Sequence, residues 1–179
     1  MFYMKNILMH TCCSPCFIMP YNQIKKDFNV TVFWFNHNIH PVSEYYLRLN
    51  SLKEYTVAEN IEIKEFGKYG LVEFLENIKY DNQNKCSLCY LERLDKTAQY
   101  AKSNGFDCFS TSLLYSKRQK HDMIKDIGES LSRKYKIDFY YKDFREFWNK
   151  GIKLSKEKNL YRQKYCGCIF SEMDRFKID

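Results

Sequence analysis

Seven of the eight cysteines in this 179-residue chain fall into three tight groups: Cys12-Cys13-Ser14-Pro15-Cys16, Cys86-Ser87-Leu88-Cys89 and Cys166-Gly167-Cys168. Three thiols in five residues exceed what core filling uses, and a C-x-x-C spacing lets two thiolates reach one metal centre from a single turn. Cys86 and Cys89 open a helical pattern, and Cys16 stands just ahead of another. Helix amino termini stabilise anions, so thiolates at these places are favoured before any metal arrives. Four thiolates suit a tetrahedral zinc or an iron–sulfur cluster. Seven exceed what one zinc or one cubane uses, so the surplus implies a second metal or catalytic thiols. Spacing alone leaves three devices open: an iron–sulfur centre, a zinc site, and a metal-free thiol–disulfide couple. Cys108, inside the run Phe106 to Ser110, reads as a small apolar core residue.

The rest of the composition narrows the setting. Lys plus Arg exceed Asp plus Glu by 29 − 22 = 7, and the sequence pI is near 8.9. That balance favours an anionic partner without separating nucleic-acid binding from a merely solvated basic surface. Some of the 15 Tyr and 14 Phe could stack on bases, but most belong in or beside a core. No apolar run is long enough to cross a bilayer. Met1 to Asn6 lead straight into a strand pattern with no charged-then-apolar leader, so no membrane partner and a cytoplasmic setting are expected. In that setting clustered cysteines are read as metal-binding or redox groups, and disulfides are not expected.

The elements that must position the thiols follow from periodicity. Lys5 to Thr11 reads as a first strand that delivers Cys12 and Cys13 to the turn at its carboxyl end, and Phe17 to Asp27 as a helix with Pro20 near its start. Asn29 to Phe35, rich in β-branched and aromatic residues, is a buried strand ending at the turn Asn36-His37-Asn38. Tyr45, Leu49, Leu52 and Thr56 mark a helix that Ser43 would cap. Ile61 to Phe66 alternates as a strand, Leu71 to Ile78 is a short helix, and Tyr80 to Lys85 is a loop. From Cys86 to Asn104 a helix carries Leu91, Leu94, Ala98 and Ala101 and stops at Asn104-Gly105. Phe106 to Thr111 is a strand, Lys117 to Tyr135 a helix, Ile137 to Tyr141 extended, and the remainder helical on both sides of Tyr161 to Cys168. Alternating strands and helices predict an α/β fold, one domain over 1–179, with a mostly parallel sheet and helices on both faces. Ligands in such sheets gather at the carboxyl ends of the strands, where Cys12, Asn36 to His40, Thr111 to Ser116 and Asp143 emerge.

At this level of detail the chain resembles the cobalamin-independent epoxyqueuosine reductases of the QueH type. The resemblance rests on Met9 to Cys16, Asn36 to Pro41, Lys85 to Tyr90, Ser110 to Leu114, Lys142 to Arg145 and, most specifically, Tyr161 to Ser171, in that order along nearly the whole chain. Tyr115-Ser116-Lys117-Arg118 departs from the Ser-Pro-Tyr-Lys-like turn more common in that family. The resemblance implies a Rossmann-like (HUP-type) domain whose phosphate loop is replaced by the cysteine motif, with the C-terminal helical segment, about 144–179, completing the metal site. It implies reduction of epoxyqueuosine, at the wobble position of a tRNA anticodon stem-loop, to queuosine, with an unidentified electron donor. It also implies a [4Fe-4S] cluster and an additional mononuclear iron, held by cysteines and an aspartate. Cys12, Cys13, Cys16, Cys86, Cys89, Cys166 and Cys168 match the motif positions, undivided between the two centres.

Asp143, which follows a predicted strand in a matched motif, is the expected carboxylate ligand; the same position also suits a capping Asp. His10 and Tyr165, with His37 and His40 beside them, are candidate proton donors, each equally suited to supporting a loop. Lys117, Arg118, Lys120, Arg145, Arg162 and Lys164 are expected to meet RNA phosphates collectively. Two other functions remain open: a zinc-stabilised RNA-binding module without catalysis, and a thiol oxidoreductase using Cys86 and Cys89.

Overall fold

The computed structural model describes residues 4–78 and 83–177, so the start of the first segment and the first half of the loop predicted at Tyr80 to Lys85 lie outside the described residues. The strands are β1 (Lys5–His10), β2 (Phe28–Trp34), β3 (Glu62–Glu65), β4 (Cys108–Thr111) and β5 (Asp138–Phe139). The helices are α1 (Ser14–Ile24), α2 (Val42–Ala58), α3 (Leu71–Asn77), α4 (Lys85–Ser103), α5 (His121–Tyr135), α6 (Trp148–Glu157) and α7 (Ile169–Phe176). Short 3-10 turns occupy Ser112–Tyr115 and Arg145–Phe147.

The five strands form one sheet in the order β3-β2-β1-β4-β5, and every pairing is parallel. Parallel neighbours need crossovers, and right-handed crossovers that run outward first one way and then the other put their helices on opposite faces. Helix α1 accordingly packs with α2 and α6, while α4 packs with α5 and against β1 and β4. With both faces covered, β1 reads Ile7, Leu8, Met9 without a polar alternation, and all three are inaccessible to solvent. Cys108 in β4 is buried opposite Ile7, as expected for a core residue, and burial pushes its thiol up to about 12.

The direction of strand addition reverses at β1, so the β1/β4 edge is the switch point where such sheets open a crevice. His10 ties that rim together. Its Nδ1 lies 3.0 Å from Thr111 Oγ1, and its Nε2 lies 3.2 Å from Asn36 Oδ1 and 3.3 Å from the Phe35 carbonyl. Asn36 in turn donates to the Thr11 carbonyl at 2.8 Å, so three strand ends share one hydrogen-bonded seam.

Several boundaries differ from the sequence expectation. Helix α1 begins at Ser14, three residues before the predicted start, because Pro15 in its first turn is compatible with helix and Cys13 supplies the extended N-cap. Cys16 therefore lies in the first turn, and Pro20 lies inside the helix, where its missing N–H leaves the Cys16 carbonyl without the usual donor. Helix α2 starts at Val42 after Pro41, so Ser43 is helical and does not cap it. Lys117 to Lys120 form a turn, not helix: the Arg118 and Gln119 N–H groups turn back to Ser116. On α4, Leu91 is exposed; the buried stripe runs through Cys89, Tyr90, Arg93, Leu94, Thr97, Ala98 and Ala101.

Candidate metal centre

The first sulfur group is set by the end of β1 and the start of α1. Cys12, Cys13 and Cys16 are all buried, their sulfurs lie within 4.8 Å of one another, and the Cys12 and Cys13 sulfurs are 3.8 Å apart. Tetrahedral thiolates at about 2.3 Å from one metal would stand about 3.8 Å apart, so this spacing fits a single ion. Hydrogen bonds from the Cys13 and Cys16 thiols hold Cys12 well below the usual thiol range, helped by the charges of Arg48 and Arg93. Cys13 moves the other way, first through burial. Gln163 reaches in from the far end of the chain, its Nε2 lying 3.0 Å from Cys13 Sγ and 3.3 Å from Cys16 Sγ, while its buried Oε1 has no partner among the described residues.

The second group is assembled from two distant pieces. Cys86 and Cys89 lie in the first turn and a half of α4, and Cys89 packs with Cys168, Phe74 and Ile78 in a small apolar cluster. Burial pushes the Cys89 thiol up to about 12, opposed by Arg93 and reinforced by Cys166, Cys168 and Cys86, which all face it. Cys168 is the N-cap of α7, and its sulfur accepts from the Ser171 N–H at 3.4 Å. Cys166 is exposed at the cavity mouth and receives Gln119 Nε2 at 3.3 Å; desolvation by the surrounding protein raises its thiol, with Cys12 among the groups acting on it. Between them Gly167 has φ +139°, and a Cβ there would meet Arg48 Nη1 and Ile39 at 3.2 Å, so the turn requires glycine. The three sequence groups thus converge at the carboxyl edge of the sheet.

Two buried arginines frame the sulfurs, and sequence reading did not single out either. Arg48 is inaccessible; its Nε donates to Glu44 at 2.7 Å, and its Nη1 and Nη2 donate to the carbonyls of Cys166 at 2.8 Å and Tyr165 at 3.1 Å. Tyr161 donates to the other oxygen of Glu44. Arg93 donates from Nε to the Cys89 carbonyl at 3.1 Å and stands over the Tyr90 ring. The signal for both was an arginine within an otherwise apolar helical stripe, beside Leu49 and Leu52 in α2 and beside Leu94 and Ala98 in α4.

A cavity of about 240 Å³ opens beside Cys12, Cys16 and Cys166, walled by Tyr115, Trp148 and Tyr165. Arg118, Arg162 and Lys164 line it as exposed side chains, and Lys117 and Lys120 flank Arg118 on the same exposed turn. Arg145 is elsewhere, forming a fork with Asp143: its Nε lies 2.9 Å from Oδ1 and its Nη2 2.6 Å from Oδ2. Asp143 also accepts the Arg145 N–H at 2.9 Å, which is the capping arrangement, and these hydrogen bonds lower its carboxyl to about 2. It belongs neither to the close-set sulfur group nor to the cavity wall. His10 is held neutral by burial, its pKa lowered to about 3, and does not line the cavity. Tyr165 does line it, and its hydroxyl donates to the His40 carbonyl at 2.5 Å.

The donor set suits a resident metal centre: seven thiols, three of them at single-ion spacing, with two buried cations to offset thiolate charge. Residues 7–174 match the model of the family described as epoxyqueuosine reductase QueH. The chain belongs to that family. Relatives named epoxyqueuosine reductase QueH include one from Dehalococcoides mccartyi, 33% identical over 95% of this chain and 94% of its own length. Another, from Thermotoga maritima, is 32% identical over 96% of this chain and 93% of its own. A third, from Histophilus somni, is 34% identical over 97% of this chain and 74% of its own. Among solved structures, a predicted tRNA methyltransferase subunit from Methanocaldococcus jannaschii matches with a TM-score of 0.53 at 12% identity, covering 86% of this chain and 88% of that one. That likeness concerns the Rossmann-like α/β fold alone.

Proposed function

We propose that this chain reduces tRNA-bound epoxyqueuosine to queuosine, acting as one catalytic unit whose segment 144–179 completes the site. The observation that carries this reading is that the first and third cysteine groups line a basic-rimmed cavity, with the Cys86/Cys89 pair acting on Cys166 and Cys168 behind it, in a chain of the QueH family. The reaction breaks both C–O bonds of the epoxide: two electrons and two protons enter, and the alkene and water leave. An external donor must supply the electrons. A [4Fe-4S] cluster with a neighbouring iron would supply single-electron transfer and a Lewis acid for the departing oxygen.

The close spacing of the first group supports one division of the ligands. Cys12, Cys13 and Cys16 suit the single iron, and Cys86, Cys89, Cys166 and Cys168 suit the cluster. Asp143 is left outside the proposed ligand set because Arg145 engages both its oxygens. Of the two expected proton donors, Tyr165 is the one on the cavity wall, where burial keeps its phenol protonated. Its hydroxyl would exchange the His40 carbonyl for the substrate oxygen, whereas neutral His10 tethers the sheet rim. Tyr115 and Trp148, with ring centroids 5.2 Å apart, offer the flat wall against which a base can lie, and Arg118, Arg162 and Lys164 face backbone phosphates of the anticodon stem-loop.

The test is to reconstitute the protein anaerobically, reduce it, incubate it with epoxyqueuosine-containing tRNA and analyse the nucleosides. Queuosine is expected; none after confirmed reduction of the centre overturns the assignment. Colourless protein carrying zinc alone would favour a structural RNA-binding module instead.

A further inference from the structure

The two buried arginines differ in one respect that the proposed reaction does not use. Arg48 has a carboxylate, Glu44, at 2.7 Å. Arg93 is as completely buried, at 1% exposure, yet among the described residues it makes no salt bridge to any carboxylate, and its Nη2 has no hydrogen-bond partner. An isolated cation in a dry interior is strongly unfavourable unless an anion faces it. The groups that act on Arg93 electrostatically are the thiols of Cys89, Cys166 and Cys12 and the phenol of Tyr90. Position explains why: Arg93 follows Cys86 by seven residues and Cys89 by four, so all three project from one side of α4.

We propose that Arg93 is the fixed counter-charge of the sulfur centre, a positioning residue whose buried guanidinium favours the more negative, reduced state. This rests on the iron–sulfur reading above. Guanidinium charge is permanent across the working pH range, so the effect needs no titration. A residue that only braced α4 would not require a charge: the Nε contact to the Cys89 carbonyl could be replaced by packing, and the unspent Nη2 donor would be a liability. Facing thiolates, the same charge and donor stabilise each electron that the centre accepts. Because Cys89 and Cys166 belong to one proposed ligand set and Cys12 to the other, Arg93 sits where it acts on both.

The experiment uses the full chain, anaerobically reconstituted, as wild type, Arg93→Met and Arg93→Lys. Iron and acid-labile sulfide are counted first, then the midpoint potential is read by redox titration. Arg93→Met keeps the apolar stem and is expected to lower the equilibrium constant for one-electron reduction about tenfold, a fall of about 59 mV, while Arg93→Lys recovers most of it. Equal potentials in loaded wild type and loaded Arg93→Met overturn the proposal. If Arg93→Met loads no iron, loading by Arg93→Lys supports a counter-charge needed for assembly, and failure of both assigns Arg93 a geometric role and overturns it. Wild type that takes up no iron fails at the earlier step and overturns the iron–sulfur reading itself.

Discussion

The two sulfur groups are built by different means. Cys12, Cys13 and Cys16 are placed by a strand end and one helical turn, elements whose backbone hydrogen bonds fix sulfur positions almost as soon as β1 and α1 form. Cys166 and Cys168 sit in an irregular segment before α7, held in place by side chains from distant parts of the chain: Arg48 on two carbonyls and Gln119 on Cys166. The first group is preorganised locally. The second exists only while long-range contacts hold, so lesions far from any sulfur should damage it selectively.

The sharpest break of that comparison comes from the ligands themselves. Cys13→Ser should cost about one iron per chain and leave acid-labile sulfide intact, whereas Cys89→Ser should remove nearly all sulfide, with product formation lost in both. Equal losses of iron and sulfide from the two variants would show that the seven thiols form one undivided site. Next in size is Arg48→Met, which strands Glu44 in the interior and frees the Cys166 turn. Removing one partner of a buried ion pair typically costs about 3–5 kcal/mol, read as a lower denaturation midpoint of the metal-free protein. Unchanged stability would mean that the turn holds without its latch.

Acid should reach the preorganised side through His10. Burial lowers its pKa from 6.5 unfolded to about 3 folded, so below pH 6.5 the unfolded chain binds a proton that the native state refuses. Stability is therefore full above pH 6.5 and falls by about 1.4 kcal/mol per pH unit as the pH drops from there toward 3. Denaturant titrations of metal-free protein should show this slope in wild type and a shallower one in His10→Asn. The smallest effect is expected at Asp143→Asn. Its partner Arg145 is partly exposed, so the pair contributes under about 1 kcal/mol, and iron content should not change. Loss of iron in that variant would restore Asp143 to the ligand set.

Much of the fold was legible because its signals are local. The run Asn29 to Phe35 and the alternation at Ile61 to Phe66 announce strands by composition, and the stripe Tyr45, Leu49, Leu52, Thr56 is buried as its spacing implies. Boundaries moved where prolines can be read two ways: the periodicity predicts a helix from Phe17 with Pro20 near its start, whereas Pro15 stands in the first turn of α1 and Pro20 is carried inside it. At the site, thiols were conspicuous and their cations were not. An arginine within a helical pattern is ordinarily a solvated residue, and only burial distinguishes Arg48 and Arg93 from Arg133, which is exposed.

What the sequence determined by itself is the donor inventory and its local grouping: which residues carry sulfur, how closely neighbours can share a metal, and that the end of the first strand delivers Cys12 and Cys13 to the sheet rim. Those follow from covalent spacing and backbone periodicity, which act over a few residues. Tertiary structure decided which groups meet and which cations go in with them. The physical reason is that burial and electrostatic compensation are sums over neighbours from distant parts of the chain, and no spacing along one segment contains them.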